Sequence, residues 1–192
     1  MIETLRLYFE RSFPVTDEQF EFIQTLFVSR KVNKGEFLLR EGEVTRYSIF
    51  VAAGCLRTYT IDDKGKEHIL QFSPENWWTG DMTFTSDVPS LCFSEALEDS
   101  EVLLSELSSI KKLVEHIPQS AGFYEAALQK SAASKNKRIV FSLSATAEER
   151  YDDFLKTYPS LVQRVPQHMI ASYLGVSPET LSRIRKKRAQ GN

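Results

Sequence analysis

A set of polar side chains near the end of the chain has the spacing of a surface that could contact DNA. Between residues 178 and 188, Leu181 and Ile184 have the spacing of inward-pointing positions, which leaves the opposite helix face polar. Five of the six residues from Arg183 to Arg188 are basic, as phosphate attraction requires. The pattern predicts a helix whose free face can enter a major groove. The polar side chains on that face are Glu179, Thr180, Ser182, Arg183 and Lys186.

Two short helices joined by a tight turn would hold this face in place. Gly175 occupies the predicted turn, where a positive φ would cost a larger residue about 1 kcal/mol or more. Small Ala171 stands where the second helix passes closest, Ser177 supplies an N-cap hydroxyl, and Pro178 fits the first helical position. The alternative is an ordinary helical hairpin with a solvated basic tail. The complete pattern favours a helix-turn-helix that binds DNA.

The charge of the chain is distributed unevenly. The 192 residues are 42% hydrophobic and carry a formal net charge of −2, so the chain is long enough for one large or two small domains. From Arg164 onward there are six basic residues and one acidic residue, which leaves the preceding part strongly acidic. An acidic body with a basic end confines the attraction for phosphate to that end.

The sequence also limits where the protein acts. It contains no apolar run of the roughly 18 residues that a membrane helix needs, and charges interrupt the apolar pattern at its N-terminus. We therefore expect a cytoplasmic protein with neither a membrane span nor a signal peptide. The two cysteines, Cys55 and Cys92, are far apart and are expected to be reduced, buried thiols.

The part before residue 165 divides into helical and β-rich segments. Residues 1 to about 30 have helical apolar spacing, with Thr16 as a cap. From Arg30 to about Leu107, short β-rich runs alternate with turns, which predicts a β-roll or jelly-roll barrel with its clearest hairpin at 63–65. The expected strands are 36–40, 47–53, 55–61, 68–72 and 102–107, and the expected later helices are 108–116, 119–143 and 146–157.

The order of these parts resembles the superfamily of regulators that includes the cyclic AMP receptor protein and the fumarate and nitrate reductase regulator (the CRP/FNR superfamily). The resemblance covers nearly the whole chain. It rests on KGEFLLREGE at 34–43, Gly54, Gly65, ALEDSEVL at 96–103, and SPETLSR at 177–183.

The resemblance implies an α+β fold in three units. They are a β-roll sensor domain of the cyclic-nucleotide-binding type over 1–118, a long dimerisation helix over 119–145, and a helix-turn-helix domain over 146–192. Such a protein is a homodimeric transcription regulator that binds double-stranded DNA at a two-fold symmetric operator. RNA polymerase is a candidate partner. Relatives continue with a β-hairpin wing after the recognition helix, whereas only four residues follow Arg188, so we expect a truncated wing and a greater need for dimerisation.

The DNA contacts carry over position by position. Glu179 and Arg183 match family residues that read base edges. The chemistry agrees, because Glu179 can accept a hydrogen bond from a cytosine amino group and Arg183 can donate two to a guanine. The family's first recognition arginine is here Pro178, so operator preference should differ. Gln167, His168 and Thr180 are the expected orienting phosphate contacts. The remaining predicted contacts are Ser177, Ser182, Lys186 and Lys187.

The ligand site departs from the family pattern. Gly80 and Asp81 approximate a Gly-Glu pair, but Ser90 stands where nucleotide-binding relatives have an arginine, and residues 81–110 contain seven acids and no Lys or Arg. A cyclic phosphate bound here would lose its hydration, and no cationic side chain would compensate for that loss. We therefore do not expect cyclic AMP to bind in the usual manner. Three readings stay open. The residues Phe72, Trp78, Gly80 and Asp81 bind another small molecule, they bind a cyclic nucleotide in a non-standard way, or the aromatic ones are simply roll core.

Other chemistries have little support in the sequence. Two cysteines cannot provide the four thiolates of an iron–sulfur cluster. A metal enzyme on a cupin-like roll would gather histidines, but His68, His116 and His168 are scattered along the chain. We therefore expect no catalysis, no metal and no cofactor.

Overall fold

Two antiparallel sheets form the centre of the computed structural model, which describes residues 2–79 and 88–190. Strands β1 and β2 are Val28–Val32 and Phe37–Leu39, and they are followed by β3 (Tyr47–Ala53), β4 (Leu56–Ile61), β5 (Glu67–Ser73), β6 (Trp78–Thr79), β7 (Phe93–Ala96) and β8 (Ser100–Glu106). One sheet has the order β1-β8-β3-β6 and the other the order β2-β7-β4-β5. The strand order is that of a β-roll, which confirms the predicted α+β class.

Alternating apolar residues fill the space between the two sheets. Ile49 and Val51 of β3, Leu56 of β4 and Val102 of β8 belong to one buried cluster, as expected where successive side chains of a strand point to opposite faces. The predicted hairpin is also present between β4 and β5. There the Asp62 carboxylate accepts hydrogen bonds from two backbone N–H groups of the turn.

Two helices precede the roll, α1 (Ile2–Glu10) and α2 (Asp17–Thr25). Thr16 caps α2 as predicted: its hydroxyl accepts from the Gln19 N–H at 3.2 Å, and the Gln19 side chain accepts from the Thr16 N–H at 3.1 Å. The predicted continuation of helix to about residue 30 is wrong, because Val28–Val32 pairs with β8 as strand β1. The partner strand lies more than 60 residues away, so local periodicity could not reveal it.

Five helices follow the roll: α3 (Ser109–His116), α4 (Ser120–Ser144), α5 (Ala147–Thr157), α6 (Gln167–Leu174) and α7 (Pro178–Gln190). Phe123 near the start of α4 packs on a cluster formed by α1, α2 and the roll. Its second half is different, since Ile139 and Val140 are exposed and Leu143 is 83% exposed. This helix therefore presents an uncovered apolar row.

A single buried cluster joins the second sheet to the last three helices. Tyr59, Ile69 and Phe72 from β4 and β5 share it with Phe154 of α5 and Ile170 of α6. The C-terminal helices are therefore packed directly on the roll, a contact that no local sequence pattern announced.

Candidate nucleic-acid interface

Helices α6 and α7 form the predicted helix-turn-helix. Gly175 ends α6 in the left-handed conformation, with φ 67° and ψ 36°, and its N–H donates to the Ser172 carbonyl at 3.0 Å. The next N–H, of Val176, donates back to the Ala171 carbonyl at 3.0 Å. These bonds satisfy helix-end carbonyls, and a side chain at Gly175 would strain the turn.

The start of α7 is fixed by its own side chains. The Ser177 hydroxyl accepts a hydrogen bond from the Thr180 N–H at 3.2 Å, as predicted for an N-cap, and Pro178 is the first helical residue. Hydrogen bonding with Ser177 and with its own backbone N–H, together with the nearby Arg183 cation, lowers the pKa of Glu179. Its carboxylate therefore stays ionised at neutral pH and can only accept hydrogen bonds.

Buried apolar residues attach both helices to α5. Ile170, Ala171 and Leu174 of α6 and Leu181 and Ile184 of α7 are all buried, as their spacing predicted. They pack in the cluster that contains Tyr151 and Phe154. Because this face is buried, the opposite face of α7 is presented outward.

The structure places most of the predicted DNA contacts at the surface. Arg183 donates to the Thr180 hydroxyl at 3.1 Å, so the half-buried threonine orients the exposed guanidinium one turn beyond Glu179. The other exposed side chains from the predicted set are Gln167 and His168 at the start of α6, with Ser177, Glu179, Ser182, Lys186 and Lys187.

The basic end of α7 is partly neutralised inside the protein. Lys187 donates to the Glu148 carboxylate at 2.7 Å, and Arg188 forms an ion pair with Asp152. Both acids lie on α5, four residues apart, so they stand on one face of that helix, which is a pattern visible in the sequence. Lys187 therefore faces α5 as well as solvent, unlike Glu179 and Arg183, the predicted base contacts earlier in the helix.

The structure does not bring together the residues predicted to bind a ligand. Phe72 is fully buried against Phe154 and Tyr158, whereas Trp78 packs between Tyr8 and Phe50 in the cluster of the N-terminal helices. Gly80 and Asp81 lie outside the described residues.

Ser90, at the position of the family's arginine, is buried in a local turn. Its hydroxyl accepts from the Cys92 N–H at 3.1 Å and donates to the Cys92 carbonyl at 3.2 Å. The hydroxyl is thus occupied by its own chain and offers no positive charge to an anion.

A groove of about 710 Å³ runs between α4, the edge of the roll and the C-terminal helices. Of the described residues predicted to bind a ligand, Trp78 lines this groove and Phe72 does not, and the largest share of the wall comes from α4. The lining includes Tyr8, Phe27, Trp78, Phe123, Tyr124, Lys130 and Tyr173. Aromatic surface with a nearby ammonium group suits an amphipathic small molecule.

Within residues 2–79 and 88–190, no three His, Cys, Asp or Glu side chains converge as a metal site would need. The His68 ring lies 2.8 Å from the Asp62 carboxylate at the β4–β5 hairpin. Among the described helices, none combines the length and the apolar character needed to cross a bilayer.

The fold and the exposed helix define a class of protein: a β-roll joined through a long helix to a helix-turn-helix. Comparison with known families agrees, since residues 29–116 match the cyclic nucleotide-binding domain. The transcriptional activator protein anr of Pseudomonas aeruginosa is 25% identical over 166 residues, covering 81% of this chain and 68% of the relative. The fumarate and nitrate reduction regulatory protein of Vibrio cholerae is 23% identical, covering 90% of this chain and 73% of the relative.

Solved structures show the same fold. FixK2 from Bradyrhizobium japonicum superposes with a TM-score of 0.73 at 24% identity and covers 86% of each chain. The catabolite activator protein of Thermus thermophilus has a TM-score of 0.58 at 21% identity and covers 92% of this chain and 84% of its own. The chain shares the fold of the CRP/FNR regulators, and over most of its length its sequence is similar to those of transcriptional regulators from that superfamily.

Proposed function

We propose that this regulator binds a two-fold symmetric DNA operator as a homodimer and that Glu179 and Arg183 read its bases. The observation that carries the proposal is the exposed start of α7, where these two side chains stand one turn apart on a helix anchored by buried Leu181 and Ile184. Arg183 can donate two hydrogen bonds to a guanine, and the ionised Glu179 can accept from a cytosine amino group.

The surrounding polar residues suit contacts with the DNA backbone. Gln167 and His168 lie at the N-terminus of α6, where unpaired backbone N–H groups favour phosphate. Ser177, Thr180, Ser182 and Lys186 complete the surface around the two readers. Lys187 contributes less, because Glu148 already neutralises it.

We place the second protomer of the dimer against the exposed apolar row of α4. Ile139, Val140 and Leu143 expose large side chains near the C-terminal end of a 25-residue helix, and a matching helix from another protomer would bury them. In this arrangement the functional units are 1–118 for sensing, 119–145 for dimerisation and 146–192 for DNA binding. Each dimer then presents two copies of α7, and the complex acts in the cytoplasm, with RNA polymerase as a candidate partner.

The effector, on this proposal, is not cyclic AMP held in the usual manner. Ser90 replaces the arginine and its hydroxyl is occupied, while the α4 groove offers aromatic walls and a lysine. A small molecule other than cyclic AMP, or a cyclic nucleotide in a different pose, fits that groove better. Calorimetric titration of the full-length protein with cyclic AMP should show no saturable binding at micromolar concentration.

The DNA proposal is tested by comparing sequence selectivity between variants. Genomic fragments retained by the wild-type protein provide an operator, and fluorescence anisotropy then measures affinity for it and for single-base variants. The Arg183→Ala variant should lose about 1 to 3 kcal/mol of discrimination at one base pair in each half-site. Lys187→Ala is the matched control on the same helix and should leave the base preferences unchanged. Equal selectivity in wild type and Arg183→Ala would overturn the assignment.

A further inference from the structure

One edge of strand β5 is occupied by side chains from two helices. Among the strands of residues 2–79 and 88–190, β5 pairs with β4 alone, so alternate backbone groups on its other side need partners from elsewhere. The Ser172 hydroxyl of α6 accepts from the Ile69 N–H at 3.0 Å and donates to the Glu67 carbonyl at 2.9 Å. A single side chain of the helix-turn-helix thus replaces the missing strand neighbour at two positions.

Arg138 of α4 completes the same junction. Its guanidinium donates to the Ile69 carbonyl at 2.6 Å and to the Tyr173 carbonyl at 3.1 Å, and it lies 4.0 Å from the centre of the Tyr173 ring. Tyr173 is in the last turn of α6, where carbonyls lack helical partners and a positive charge is favourable. One half-buried arginine therefore joins three elements: the long helix, the edge of the roll and the first helix of the helix-turn-helix.

The chemistry of the junction depends on the planar guanidinium. Its Nη2 atom donates to carbonyls of two elements while the flat face of the same group stacks on a ring, and a lysine ammonium group has no flat face for the second contact. Other contacts bring the domains together without involving α4, such as the paired Arg164 and Glu75 and the stacking of Trp77 on Tyr158. Lys137 of α4 also pairs with Asp153 of α5, but Arg138 is the α4 residue that contacts both the edge of the roll and α6.

The junction leaves the DNA-reading surface free. Glu179 and Arg183 are exposed while Ser172 and Tyr173 contact the roll, so the docked position does not cover the readers. Buried Ala171, Leu174 and Leu181 connect α6 to α7, which makes the two helices move as one body. Fixing α6 therefore also fixes the direction in which α7 points.

We propose that Arg138 is a positioning residue that holds the helix-turn-helix at a set orientation to α4 and thereby fixes the spacing of the two half-sites that the dimer accepts. This inference rests on the proposed operator binding. Arg138 touches no DNA in this role. One additional base pair between half-sites shifts one of them by about 3.4 Å and rotates it by roughly 35°, so only a rigid junction can reject it.

The test uses full-length protein and operators with the selected spacing or with one base pair added. Wild-type protein should prefer the selected spacing by about tenfold or more, and Arg138→Gln and Arg138→Lys should reduce that preference to within about threefold while keeping the base preferences of each half-site. Arg40→Lys is the matched control, because Arg40 stacks on Phe37 at 3.8 Å within the roll alone. It should retain the wild-type spacing preference.

Hydrogen exchange supplies a second measurement that needs no DNA. The amide of Ile69 should exchange about tenfold faster or more in Ser172→Ala and in Arg138→Gln, but not in Arg40→Lys. If folded Arg138 variants keep the wild-type spacing preference, the inference is overturned. It is also overturned if these variants bind the selected operator more tightly than wild type, because the junction would then restrain binding. If wild-type protein selects no symmetric DNA, the proposed function fails, whereas the exchange of Ile69 still reports whether the junction exists.

Discussion

Phe72 provides the sharpest test of how the roll and the DNA-binding unit are joined. Its side chain is fully buried in β5, and its ring centroid lies 6.2 Å from that of Phe154, 5.9 Å from Tyr158 and 5.6 Å from Tyr173. All three partners belong to α5, its C-cap or α6, outside the roll. Phe72→Ala would open a cavity between the two units and would also remove the aromatic contacts.

The expected cost follows from the burial of the ring. Replacing a fully buried phenylalanine with alanine lowers the free energy of unfolding by about 3 to 5 kcal/mol. In a chain of this size each kcal/mol moves the midpoint by about 2 to 4 °C, so the melting temperature should fall by roughly 6 to 20 °C. Because the cluster is shared, tryptophan fluorescence and helical circular dichroism should report one common transition.

Scanning calorimetry and the two spectroscopic probes, at one fixed protein concentration, measure this effect. Leu91→Ala is the control, since Leu91 is an apolar roll side chain that is 75% exposed, and its loss should change stability by less than about 0.5 kcal/mol. A change of under 1 kcal/mol for Phe72→Ala would refute the shared core. Two separate transitions, with only one of them shifted, would refute it equally.

Three further predictions follow from single contacts. Thr180→Val removes the hydroxyl that accepts from Arg183 and should reduce base discrimination by about 0.5 to 1.5 kcal/mol in competition anisotropy, while an unchanged value would mean that Arg183 orients itself. Lys186→Ala should lower the slope of log affinity against log salt by about 1, whereas Lys187→Ala should lower it less because of its internal ion pair; equal slopes would contradict that ranking. Burial raises the pKa of Cys55 to about 12, so the folded protein should resist iodoacetamide at this thiol at pH 8 by mass spectrometry, and rapid labelling would contradict its burial.

The raised pKa of Cys55 also makes the stability of the protein depend on pH. An unfolded thiol has an ordinary pKa of about 9.0, whereas burial raises the pKa of the folded one to about 12. Ionisation therefore favours the unfolded chain in that window, and the contribution of this group to stability is lost as the pH rises through it. The contribution is fully present at neutral pH.

Local patterns were sufficient to predict the helix-turn-helix. Its signals, such as Gly175 in the turn, Ser177 at the cap and the buried Leu181, act within a few residues of one another and need no distant partner. Strand β3 was likewise predicted with its observed bounds, because a run of β-forming residues bounded by turns is visible in the sequence.

What the sequence could not predict depends on distant partners. Strand β1 forms because β8 pairs with it, and the two-residue β6 is too short to have a pattern of its own. Phe72 looked like a pocket residue because nothing in its neighbourhood announces Tyr158 or Tyr173. Ser172 and Arg138 were overlooked for the same reason, since their partners are backbone groups of β5.

The most direct test of the central claim is to sequence the DNA that purified full-length protein retains from a random pool. The account predicts an inverted repeat whose half-site centres lie about one helical turn, or 34 to 36 Å, apart, or a multiple of that distance. It also predicts that Glu179→Ala and Arg183→Ala each change the preferred bases symmetrically in both half-sites. Retained DNA without two-fold symmetry, or a sequence logo that neither substitution alters, would contradict the account.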